Sequence, residues 1–115
     1  VIGLGALGKA VARLGAAFPD ALIIATLGER GSLALAQSRE IRTPAFPVPV
    51  VDTTGAGDAF RAGLAAAWLR GGEAANLERA LAVANATAAL NCRAEGAQQG
   101  LPSWEEVQTL VSAQS

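Results

Sequence analysis

Apolar positions along the chain fall into blocks with different periods. Ala6 to Ala17 has the composition of a helix, closed by Pro19-Asp20. Ala21 to Leu27 is a short apolar run with β-branched residues, bounded by Gly28, and predicts a buried, parallel strand. Ser32 to Ala36 and Arg39 to Thr43 alternate polar and apolar residues around Gln37-Ser38, the pattern of a hairpin. Each proline in Thr43-Pro44-Ala45-Phe46-Pro47-Val48-Pro49 pushes its predecessor out of the helical region, so this stretch is extended. Val50 and Val51 lead from it into a glycine-rich turn. Helices are then expected from Gly57 to about Arg70, from Leu77 to Leu90 or Cys92, and from Ser103 to about Ala113. Ser103 with Glu106 three residues on has the spacing of a capping box. Strands and helices come first, and three helices follow with no further strand. That order suits one α/β domain over residues 1–115 whose other strands lie outside this chain.

Composition narrows the chemistry. The 115 residues are 51% hydrophobic, with a net charge of −1, so there is a packed core but no basic field for nucleic acid or an anionic membrane. No apolar run reaches the ~18 residues of a membrane span, and the first residues lack a charged leader, so a cytoplasmic protein is expected. Histidine is absent, which removes imidazole catalysis and imidazole metal ligands. Cys92 is the single cysteine, so disulfides and cysteine zinc sites are out, and a buried thiol is expected. Trp68 and Trp104 are expected in the core or in helix packing. Chemistry is left to carboxylates, hydroxyls, arginine, Lys9 and backbone dipoles.

The turn Asp52-Thr53-Thr54-Gly55-Ala56-Gly57-Asp58 carries most of the functional signal. Small residues between two carboxylates let the backbone approach a ligand closely, and the helix behind them aims its free N–H groups the same way. The plain alternative is a tight strand-to-helix turn capped by Thr54. Two features favour a site: the turn follows an apolar strand, where α/β sheets bind ligands, and it carries an acid at each end. A second glycine pattern, Gly3-Leu4-Gly5-Ala6-Leu7-Gly8, matches G-x-G-x-x-G, with Glu29 as the acid further on. It would make the chain an NAD-binding oxidoreductase fragment. Only Val1 and Ile2 precede it, too few for the required strand.

Asp52 to Asp58, continued by Ala59-Phe60, resembles the C-terminal signature of the ribokinase-like carbohydrate and nucleoside kinases. Thr26-Leu27-Gly28-Glu29-Arg30-Gly31 is similar to the segment that lies along the nucleotide in that family. Ala84 to Ala89, with Asn85, is similar to the helix whose start faces the adenine, and Gly96-Ala97-Gln98 to the loop beyond it. The resemblance implies a three-layer, mainly parallel, doubly wound sheet of which this chain holds the nucleotide-binding part. It also implies ATP as phosphoryl donor, Mg2+ held mostly outside this chain, and a sugar or nucleoside acceptor. Asp58 would take the proton of the acceptor hydroxyl, and its charge is favoured by ~0.3–1 kcal/mol at a helix N-terminus. The N–H groups of Gly55, Ala56 and Gly57 would form the anion hole, each such donor being worth about 3 kcal/mol where charge develops. Thr26, Leu27, Gly28, Glu29, Arg30, Gly31, Gly57 and Asn85 would contact the nucleotide. Asp52, with carbonyls of Thr54, Asn91, Ala94 and Gly96, would hold K+. The family's Pro-Ser after G-A-Q is Gln99-Gly100 here, which removes one hydroxyl ligand from that cation site. The missing N-terminal half would carry the sugar contacts and lid, so the chain alone is expected to be inactive, and oligomeric state is left open. A degenerate, non-catalytic module is the remaining alternative.

Overall fold

The computed structural model describes residues 5–36, 39–48, 50, 51, 53, 55–71, 76–93 and 102–113, with the side chain of residue 29 left out. The elements run α1 (Gly5–Ala17), β1 (Leu22–Thr26), a 3-10 turn (Gly28–Arg30), β2 (Ser32–Ala36), β3 (Arg39–Thr43), α2 (Ala56–Gly71), α3 (Leu77–Asn91) and α4 (Trp104–Ala113). The chain divides into two compact units, Val1–Arg42 and Thr43–Ser115. Among the described residues no helix is long and apolar enough to cross a membrane.

In the first unit the three strands form one sheet in the order β1-β2-β3. β1 pairs with β2 antiparallel, from Leu22 opposite Ala36 to Thr26 opposite Ser32. Among the described residues β1 thus has an antiparallel neighbour. Only residues 27–31 join the two strands, and a parallel neighbour needs a crossover of a dozen residues or more. β1 is also only half-buried, because it lies at the edge of the described sheet. β2 is its centre, with Leu33 and Ala34 fully buried. β3 adjoins β2 as the alternation predicts, although the expected turn at Gln37-Ser38 lies outside the described residues. α1 covers this sheet closely at Gly15, where an added Cβ would meet Leu35 Cδ2 at 2.5 Å.

The second unit is built around α3, the most buried helix. Val83, Ala86 and Leu90 pack with Val107 and Val111 of α4, and Phe46 and Val48 of the proline-rich stretch close over them. On its other side α3 meets α2 at Gly63, whose missing Cβ would come within 2.8 Å of Thr87 Cβ and 3.1 Å of Ala84 Cα. Alanine and glycine at these crossings let the two backbones approach. Asn76 caps α3, its Oδ1 accepting the Arg79 amide at 3.1 Å. α4 opens with the predicted capping box: the Ser103 amide donates to Glu106 Oε1 at 3.0 Å and the Glu106 amide to Ser103 Oγ at 3.2 Å. Cys92 is a buried thiol outside any disulfide, as expected. Trp104 is half-buried under the Arg70 guanidinium, 4.3 Å from the ring centroid. Trp68, expected in the core or in helix packing, is 49% exposed on α2.

Candidate active site

The glycine-rich turn ends on the first turn of α2. Its approach is tied down by the Val51 amide, which donates to the Cys92 carbonyl at 2.7 Å. The Ala56 amide then donates to the Thr53 carbonyl at 3.1 Å, and the Ala59 amide to the Gly55 carbonyl at 2.9 Å. Gly55 has φ +77°, a left-handed value that favours glycine. The turn thus reverses the chain in a few residues and starts the helix at Ala56.

This geometry sorts the expected donors. Of the three expected anion-hole amides, that of Ala56 donates within the turn, to the Thr53 carbonyl. Gly57 and Asp58 follow it in the first helical turn, where amides have no intrahelical partner. An added Cβ at Gly57 would meet nothing within 4 Å. Packing within this chain therefore does not demand glycine there. What a side chain would take away is open space beside the helix terminus.

Asp58 stands at the rim of that space. Its Oδ1 accepts from Arg61 Nη2, three residues on, and the two side chains are 77% and 74% exposed. An ion pair this open is worth about 0–1 kcal/mol, so it orients the carboxylate without locking it. A carboxylate at a helix N-terminus can accept a proton from a hydroxyl aligned on a phosphate. Arg61 was missed in the sequence, although its spacing from Asp58 on a helix pointed to it.

The other expected residues fall in three groups. In the first unit, Thr26 ends β1 and Leu27 to Gly31 form a closed turn. The Leu27 amide donates to the Gly31 carbonyl at 2.8 Å, Arg30 to Leu27 at 3.1 Å and Gly31 to Gly28 at 3.0 Å. Gly28 (φ +60°) and Gly31 (φ +85°) are both left-handed. Arg30 is exposed, and the Glu29 side chain lies outside the described atoms. In the second unit, Asn85 lies in the middle of α3 rather than at its start, 7% exposed, its Nδ2 donating to the Leu81 carbonyl at 2.9 Å. Asn91 is the buried last residue of α3. Asp52, Thr54, Ala94 and Gly96 lie outside the described residues. Among the described residues no group of three acidic or cysteine side chains could hold a metal ion.

At the far end of α3, Arg93 Nη2 donates to Glu106 Oε2 at 2.7 Å and Arg93 Nε to the Leu90 carbonyl at 3.0 Å. The bond from the Ser103 amide, and then that from Arg93, hold the Glu106 carboxyl below its ordinary value. This cluster fastens α4 to the exit of α3.

Residues 4–104 match the pfkB family of carbohydrate kinases. The chain belongs to that family. It is 44% identical over 97 residues to a ribokinase of Bacillus subtilis, an alignment covering 84% of this chain and 32% of the relative. Among solved structures it superposes on an Arabidopsis thaliana ribokinase complexed with ribose and ATP with a TM-score of 0.83 and 31% identity, covering 96% of this chain and 35% of that one. A Vibrio cholerae fructokinase with fructose, ADP and potassium bound gives a TM-score of 0.78 at 28% identity, covering 86% of this chain and 33% of that one. The pfkB chain described here thus spans about a third of the length of these relatives, and its α/β fold is theirs. The oxidoreductase reading of Gly3 to Gly8 finds no support. A match to carbohydrate kinases accounts for nearly the whole chain. Gly5 and Gly8 already lie within α1, and the antiparallel β1-β2 pair leaves no strand-helix-strand unit after it.

Proposed function

We propose that this chain is the C-terminal, nucleotide-binding part of a cytoplasmic kinase that moves the γ-phosphoryl group of ATP to an alcohol group of a sugar or nucleoside. The observation that carries the reading is the turn at the head of α2. There a left-handed Gly55, an uncrowded Gly57 and an exposed Asp58 surround the positive end of a helix. A migrating phosphoryl is an anion with charge on its equatorial oxygens, and the helix terminus offers fixed N–H dipoles that need not reorganise.

The acceptor oxygen attacks the γ-phosphorus as the bond to the β-γ bridging oxygen breaks. The hydroxyl proton passes to the Asp58 carboxylate, and ADP departs. A loose transition state asks the base mainly to orient the hydroxyl, which a carboxylate can do. Magnesium would supply positive charge to offset that of the phosphates, and its ligands are assigned mostly to the part of the kinase outside this chain. The turn from Thr26 to Gly31 lies along the nucleotide, with Arg30 free to reach a phosphate. A potassium ion is assigned to Asp52 and the carbonyls of Thr54, Asn91, Ala94 and Gly96. The Val51–Cys92 bond supports this by holding together the sequence neighbours of Asp52 and Asn91. The fructokinase with potassium bound supports it as a relative.

The test uses the complete reading frame with ATP and a panel of ribose, fructose, deoxyribose and nucleosides. Asp58→Asn should lower kcat by about 10²–10⁴-fold, the usual worth of a general base, while KM for ATP stays within a few-fold. An unchanged kcat would overturn the assignment. The 115-residue chain alone should show no turnover.

A further inference from the structure

A cavity of about 300 Å³ lies among the end of α2, the start of α3 and the first turns of α4. Its size is at the small end of the range for small-molecule sites. All three helices belong to the second unit, so the walls are built by this chain alone. The polar lining is Arg70, Asn76, Arg79 and Gln108, beside the half-buried indole of Trp104. Bonds already made there decide what is left for a ligand. The Arg79 amide donates to Asn76 Oδ1 at 3.1 Å, and Arg79 Nη2 donates to Gln108 Oε1 at 2.9 Å. An N–H donor requires the oxygen of each side-chain amide, which fixes both orientations and leaves their NH2 groups. Arg70 stacks on the Trp104 ring, 4.3 Å from its centroid, an arrangement that uses the face of the guanidinium and not its N–H edge. Arg42, Arg61 and Arg93 each pair with a carboxylate. Among the described residues Arg70 and Arg79 meet none, and none of the lining residues is acidic.

The cavity therefore offers hydrogen-bond donors and two positive charges. Its complement is a group made of acceptors with two negative charges, which describes a phosphate at neutral pH. We propose that Arg70 and Arg79 make this cavity a binding site for a phosphate group, free or carried by a small molecule. Guanidinium forks match pairs of phosphate oxygens, and the NH2 groups of Asn76 and Gln108 add neutral donors beside them. Ala67, Ala80 and the Trp104 indole give an apolar wall for the organic part of a phosphate ester. Asp58 and Arg70 stand ~18 Å apart along α2 at 1.5 Å per residue. A phosphate held here is thus not the one transferred at the head of α2, and the site does not rest on the kinase reading.

The test follows the indole N–H signal of Trp104 by NMR in the complete kinase. Inorganic phosphate and ribose 5-phosphate are titrated separately at constant ionic strength, and each should shift the signal saturably. Tighter binding of the sugar phosphate marks a phosphate ester as the occupant, and equal affinity marks the free ion; both keep the site. Arg70→Gln combined with Arg79→Gln should weaken binding by about tenfold or more, the usual worth of charged hydrogen bonds. Both side chains are exposed, so the double variant should stay folded, and each single variant should show part of the loss. No saturable shift, the same shift with sodium chloride, or unchanged affinity in the double variant would overturn the proposal. So would a carboxylate from elsewhere in the kinase paired with both guanidiniums. Asp58→Asn should bind phosphate here as the unmodified kinase does. Loss of activity in Asp58→Asn with no response at Trp104 in either protein would sink the phosphate site alone. A response at Trp104 with full activity of Asp58→Asn would sink the catalytic assignment alone.

Discussion

The Val51 amide reaches the Cys92 carbonyl at 2.7 Å, joining the strand-like approach to the glycine-rich turn with the exit of α3. Two residues some forty positions apart are thereby held together, each adjacent in sequence to a proposed potassium ligand, Asp52 or Asn91. Potassium should therefore stabilise the second unit. A site with a dissociation constant near 10 mM would add about 1.4 kcal/mol at 100 mM K+. Thermal unfolding of the chain in potassium chloride against choline chloride reads this directly. With Gln99-Gly100 in place of a hydroxyl ligand, no stabilisation at 100 mM would remove the cation from the proposal.

Gly55 is the residue whose backbone the turn cannot replace. At φ +77° an L side chain is strained whatever room surrounds it, and Gly55→Ala should cost ~1–2 kcal/mol. Gly57→Ala meets no neighbour and should leave stability within about 0.5 kcal/mol, or raise it slightly through helix propensity. In the complete kinase Gly57→Ala should nonetheless lower kcat/KM for ATP, because the methyl group enters the open space at the helix terminus. A pair of urea titrations and a pair of kinetic assays separate the two effects.

Gly63 marks the closest approach of α2 and α3. Its alanine variant drives a methyl group to 2.5 Å from Thr87 Oγ1 and 3.1 Å from the Ala84 backbone. Overpacking of this kind costs about 1–3 kcal/mol. Adding Thr87→Ala should recover only part of the loss, since the Thr87 Cβ at 2.8 Å and the Ala84 backbone remain. Full recovery would mean that the helices slide apart cheaply.

Much of this was legible before any coordinates, for local reasons. The capping box at Ser103 and Glu106, the ends of α2 and α3, and the turn before α2 each depend on a few neighbouring residues, so spacing and composition reveal them. Pairing and exposure do not. β1 reads as a parallel strand from its apolar run, yet its partner is set by the short link to β2. Trp68 reads as a core or helix-packing residue from its size, yet it is 49% exposed on α2.

Arg61 should matter to chemistry more than to folding. Its pair with Asp58 is exposed on both sides, so Arg61→Gln should change stability by less than about 1 kcal/mol. In the complete kinase the same variant frees the carboxylate to rotate and removes a nearby positive charge, which should reduce kcat while the fold is kept. A fall in melting temperature as large as that of Gly63→Ala would assign Arg61 a structural role instead.

The Glu106 cluster gives a pH dependence with a definite sign. Its carboxyl lies below the ordinary value of 4.5, chiefly through the Ser103 amide and then the Arg93 guanidinium. A folded-state value below the unfolded one means that the group binds protons more weakly when folded. Its contribution is therefore complete above 4.5 and is lost as pH falls from there through the lowered value. Glu106→Gln should flatten the acid limb of stability against pH over that window and leave the neutral region sloping as before. Ser103→Ala removes the other half of the box and should cost about 1 kcal/mol at neutral pH. If the acid limb is unchanged in Glu106→Gln, protonation elsewhere drives the loss of α4, and the clasp between Arg93 and Glu106 contributes little to holding it.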